Sequence, residues 1–148
     1  MVFQQILPAT VILCTLAITG CNSDQLPTYP TTGKVQFEDG VPVRFGSIEF
    51  YNRQHELTAR GKIDRNGNYE LGTFEAGDGA VAGEHKVVVI QAIMPTPFLM
   101  PQNPGDPSPQ NHGRHVNKDY ATYATSTLQC TVKEGNNICN FTVSGSRR

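Results

Sequence analysis

From Thr32 onward the chain alternates apolar and polar residues with a period of two, interrupted at short intervals by turn residues. Val35 and Phe37 alternate with Lys34, Gln36 and Glu38, which predicts a strand with one buried face. Asp39-Gly40 is a tight-turn dipeptide. Pro42 has no N–H for a ladder, so residues 41–43 belong at an edge or a bend. Residues 45–51 read as a second strand, with Ile48 and Phe50 inward, and residues 57–63 as a third. Asp64-Arg65-Asn66-Gly67 turns the chain into a fourth at 68–71. After a glycine-bearing loop, Lys86-Val87-Val88-Val89-Ile90 predicts a strand buried on both faces. Residues 127–132 and 138–143 complete a set of seven. Seven short strands, with no helix longer than a turn or two, predict an all-β fold built as one two-sheet sandwich.

Residues 94–110 hold six of the ten prolines, which rules out a helix or a central strand there. That stretch, taken to 118, reads as an exposed loop insert, partly polyproline II, after which Tyr120 and Tyr123 re-dock the chain. Fourteen glycines favour many turns, and seven Phe with five Tyr supply core bulk in a chain without Trp. The formal charge is −1 and the charges are scattered. No basic stripe for nucleic acid is expected, and no acidic tail.

The first 20 residues read differently. Residues 6–18 form an apolar run broken only by Pro8, Thr10 and Thr15, too short to span a bilayer but sized for a signal-peptide core. The run ends in Ile18-Thr19-Gly20-Cys21, which resembles the bacterial lipobox. Residues 1–5 carry no Lys or Arg, so an N-terminal buried strand or helix is the competing reading. The lipobox resemblance implies cleavage before Cys21, lipidation of its thiol, and a membrane-anchored protein exported to the cell envelope. The polar, Pro-bearing residues up to 31 would serve as a linker, the sandwich would occupy 32–143, and 144–148 would form a tail.

With Cys14 removed and Cys21 acylated, Cys130 and Cys139 remain. A hairpin turning at Glu134-Gly135 places Cys130 opposite Cys139 and Leu128 opposite Phe141, with all four on the inward face. Opposed Cβ atoms lie near disulfide range, and an oxidising compartment favours a bridge. Two reduced thiols packed as small hydrophobes are the alternative.

A family comes into view on four stretches. Gly33-Lys34-Val35 with Asp39-Gly40-Val41-Pro42-Val43 and Ile48-Glu49-Phe50 resembles the start of carboxypeptidase regulatory-like domains. Gly61-Lys62-Ile63-Asp64-Arg65-Asn66-Gly67-Asn68-Tyr69-Glu70-Leu71 resembles their strand-turn-strand signature. Gly83-Glu84-His85-Lys86-Val87 and the tail around Thr131-Val132-Lys133-Glu134-Gly135-Asn136-Asn137 resemble small bacterial lipoproteins of that type. The resemblance implies a transthyretin-like, Ig-like seven-stranded sandwich. It implies an accessory, adhesive or structural module rather than a reaction.

Four further constellations compete with this reading. Asp64-x-Asn66-Gly67-Asn68 looks like half a calcium loop, with Glu75 at the twelfth position, but the strand after Asn68 favours an Asx-stabilised turn. His112 and His115 stand three apart without a second cluster, and His55 and His85 fall in other segments, so no metal is expected. Ser126 lacks a nucleophile elbow. Lys34 and Asn140 occupy the places of a cross-link known in related surface domains, yet their phase points them out of the core. The expectation is a non-enzymatic envelope lipoprotein without cofactors, anchored to the membrane and meeting an envelope protein or glycan partner. The alternative is a carbohydrate- or peptide-binding module using Phe98, Tyr120 and Tyr123.

Overall fold

The computed structural model describes residues 25–92 and 114–146. Cys21, the apolar N-terminal run and most of the Pro-rich stretch, including Phe98 and His112, lie outside the described residues. The described chain is all β. Strand β1 is Thr28–Tyr29, β2 Thr31–Phe37, β3 Gly46–Asn52, β4 Leu57–Ile63 and β5 Asn68–Glu70. Then come β6 Ala80–Val81, β7 Gly83–Gln91, β8 Leu128–Val132, β9 Asn137–Ile138 and β10 Phe141–Val143. Among the described residues one 3-10 turn, Lys118–Ala121, occurs, capped by the Asn117 side chain, which accepts from the Asp119 N–H.

Two sheets face each other. One is ordered β4-β3-β7-β8 and is antiparallel throughout. The other is ordered β10-β2-β5, with β9 also on β2. In it β9 and β10 run parallel to β2, and β5 antiparallel. β1 and β6 form a small ribbon beside them. Alternation decides what lies between the layers. Val35, Phe37, Ile48, Phe50, Val87, Val89, Phe141 and Val143 are all buried in one cluster. Phe50 stands at its centre, with ring centroids 6.1 Å from Tyr69, 5.8 Å from Phe141 and 5.9 Å from His85. Burying a side chain of that size contributes about 1.5–3 kcal/mol.

The turns form as their sequences dictate. Asp64 accepts hydrogen bonds from the N–H groups of Asn66 and Asn68, both at 2.8 Å, and from the Asn68 carboxamide at 3.3 Å. Gly67 sits at φ 82°, which L side chains rarely adopt. There its carbonyl accepts from the Val35 N–H at 2.9 Å, joining the turn to β2. Pro42 makes only an isolated bridge to Gln36 at the sheet margin, as its missing N–H requires.

All seven expected strands occur, and the differences are informative. The last one is split at Cys139-Asn140 into β9 and β10. β7 is central, between β3 and β8, with Val87, Val88 and Val89 all buried, but Ile90 is exposed. The stretch expected to be a linker contributes β1 and the start of β2, so the described strands begin at Thr28. The Pro-rich insert also ends earlier than 118. Val116 bridges Gly145 and is buried, and the Asn117 N–H donates to the Ser144 carbonyl.

The expected cysteine hairpin does not form. β8 pairs with β7, whereas β9 and β10 pair with β2 in the opposite sheet. Glu134-Gly135 therefore starts a crossing between sheets, shaped by Asn137, whose side chain bonds Lys133 and Gly135. Cys130 and Cys139 are nevertheless joined, with Cα atoms 6.5 Å apart. Both point inward from facing layers, so the bond staples one sheet to the other.

Candidate functional site

The outer face of the four-stranded sheet carries the most developed surface feature. On β3 the inward residues are Ile48, Phe50 and Asn52, which leaves Glu49 and Tyr51 outward. On β7 the buried His85 and Val87 leave Glu84 and Lys86 outward, and on β8 Gln129 and Thr131 point the same way. Register then lines up Tyr51, Lys86 and Gln129 across three strands. The chain returns over this face after the 3-10 turn, which packs on β7. Ser126 fixes the return. Its buried hydroxyl donates to the Val87 carbonyl at 2.5 Å and accepts from the Leu128 N–H at 3.3 Å.

That return brings Tyr123 onto Tyr51, ring centroids 5.4 Å apart and planes tilted by 50°. The Tyr123 hydroxyl donates to Glu49 Oε2 at 2.9 Å, and Glu49 Oε1 accepts from Arg60 Nε at 3.1 Å. Burial, reinforced by the neighbouring Glu49 carboxylate, pushes the Tyr123 pKa up to about 12. The phenol is thus a neutral donor held in one orientation. Beside the pair runs a groove of about 400 Å³ lined by Tyr51, Arg53, Glu84, Lys86, Tyr123 and Gln129. It offers two aromatic faces, two cationic donors, a carboxamide and a carboxylate. That set suits stacking and hydrogen bonding to a polar ligand with flat apolar faces.

The predicted aromatic trio is only partly assembled. Tyr120 is half-buried and packs against the core cluster, so it anchors rather than displays. Tyr123 does line a groove, but its companion is Tyr51, and Phe98 lies outside the described residues. Tyr51 could have been found: an aromatic in the outward phase of an alternating strand is the signal.

Both Asp64 oxygens are engaged inside the turn, and Glu75 lies in the loop after β5, its N–H bonded to Asp78. His55 and His85 are far apart in sequence; burial lowers the pKa of His85, and His55 adds a smaller shift in the same direction. Among the described residues no three His, Cys, Asp or Glu side chains form a group able to hold a metal ion. His115 is exposed. Ser126 is committed to the backbone contacts above. The Asn140 carboxamide accepts from the Lys34 N–H at 2.9 Å, so the cross-link pair meets through the Lys34 backbone.

No family model matches the chain, and no curated protein matches it. Among solved structures, it is similar to a DUF3823 family protein from Parabacteroides merdae, with 10% identity and a TM-score of 0.45. The match covers 82% of this chain and 48% of that one, so the chain spans about half the length of that structure.

Proposed function

We propose that this chain is an exported, lipid-anchored envelope protein whose sandwich, of the carboxypeptidase regulatory-like kind, acts by binding rather than by catalysis. The observation that carries the reading is the Cys130–Cys139 bond between the sheets. A structural disulfide belongs to an oxidising compartment, where exported proteins reside. The Ile18-Thr19-Gly20-Cys21 sequence supports the same destination and supplies the anchor. Radiolabelled palmitate should attach to the wild-type protein in cells and not to Cys21→Ala. Equal labelling of both, or of neither, would overturn the proposal.

A specific geometry favours a second reading, in which the module binds a carbohydrate or a peptide. The Tyr51–Tyr123 pair with Arg53, Lys86 and Gln129 forms a stacking surface bordered by donors. A glycan and peptide array should give signals that Tyr51→Ala and Tyr123→Ala both abolish. Signals unaffected by either substitution would exclude the groove. An envelope protein docking elsewhere on the sandwich would then be the remaining partner class.

A further inference from the structure

Four large apolar side chains are exposed among the described residues: Leu26 at 38%, Phe74 at 38%, Ile90 at 42% and Ile138 at 76%. Three of them belong to segments that meet at one end of the sandwich. Leu26 precedes β1 by two residues, and β1 pairs Tyr29 with Ala80 of β6. The loop before β6 carries Phe74. It is drawn together by the Thr73 hydroxyl donating to the Gly79 carbonyl at 2.7 Å and by Asp78 accepting from the N–H groups of Thr73, Phe74 and Glu75. Ile138 pairs with Thr32 at the start of β2, and the neighbouring Asn137 N–H donates to the Pro30 carbonyl at 2.9 Å. Ile90 stands apart. β7 starts at Gly83, just after β6, and seven residue steps carry Ile90 about 23 Å from there.

This is also the end where the chain enters from Cys21. Five residue steps separate Cys21 from Leu26, a reach of at most about 18 Å, and Thr28 lies within about 25 Å. So short a leash holds these side chains at a high effective concentration against any surface that retains Cys21. We propose that the end bearing Leu26, Phe74 and Ile138 is a docking face for the lipid bilayer. The three side chains enter the boundary between headgroups and acyl chains. This rests on the lipid anchoring of Cys21 proposed above. Glu70, opposite Thr32, and Glu75, beside Phe74, border the face, and Lys133, bonded to Asn137, lies beside it, so the apolar side chains carry the contact.

The test uses the lipidated full chain with labelled isoleucine methyl groups, in phosphatidylcholine nanodiscs carrying a headgroup nitroxide. The Ile138 methyl signal should be lost while the Ile90 signal survives. The double substitution Leu26→Ser with Phe74→Ser should make the two alike, with the buried Ile48 and Ile63 signals unchanged as the check on folding. Equal broadening of Ile138 and Ile90 in wild-type protein that sediments with lipid would overturn the docking face and leave the anchor standing. Preferential loss of Ile90 would do the same. Protein that fails to sediment with lipid would overturn both.

Discussion

The Tyr69 hydroxyl donates a hydrogen bond to the backbone carbonyl of Cys139, 70 residues away along the chain. Gly33 lies opposite Tyr69 and makes the approach possible. A Cβ there would stand 1.9 Å from the Cys139 oxygen and 2.7 Å from the Tyr69 hydroxyl. Three segments of one sheet are therefore closed around a single buried polar contact, and burial raises the Tyr69 pKa above the ordinary tyrosine value.

Tyr69→Phe keeps the ring against Phe50 and removes the donor, leaving a buried carbonyl without its partner. The expected cost is about 1–3 kcal/mol in urea unfolding. Gly33→Ala should cost at least as much, because the atoms it meets are largely backbone and cannot step aside. A stability unchanged in both variants would show that the contact is incidental.

The Cys130–Cys139 bond closes a short loop, with a sequence separation of 9, and also ties sheet to sheet. Loop entropy alone gives about 2–3 kcal/mol. Reduction by a phosphine, or the double substitution Cys130→Ala with Cys139→Ala, should lower the urea midpoint accordingly without changing the strand content seen by circular dichroism.

His85 is 2% exposed and donates from Nδ1 to the Gly83 carbonyl at 3.0 Å. Burial lowers its pKa; the Gly83 contact opposes that shift and His55 adds to it. A depressed histidine contributes stability above its unfolded pKa of about 6.5, and that contribution is lost as pH falls through the folded value. Unfolding free energy should therefore decline as pH falls below about 6.5, and more steeply in the wild type than in His85→Gln. Parallel slopes in the two proteins would contradict this.

Asp64 accepts three hydrogen bonds inside its own turn. Asp64→Ala should cost about 1–2 kcal/mol, and Asp64→Asn less, since a carboxamide oxygen still accepts. Calcium added to the wild type should leave the thermal midpoint where it was. A calcium-dependent rise would reopen the cation reading of this sequence.

The alternation around Val35, Ile48, Phe50 and Phe141 already determined the fold class and the inward faces, because strand phase is a local property with a period of two. The Asp64 turn was equally legible, since its hydrogen bonds stay within four residues. The inward phase of Cys130 and Cys139 was legible too, because it does not depend on which strand each pairs with. What the sequence left open was the partner of each edge. A short connection through Glu134-Gly135 favours local pairing. In the folded chain, however, Phe141 and Val143 pair with Val35 and Phe37 of β2, more than a hundred residues earlier, and so join the common core. Only the tertiary structure decided that exchange. It also decided the meeting of Tyr51 with Tyr123. Those outcomes depend on which distant surfaces bury one another, and no local pattern records that.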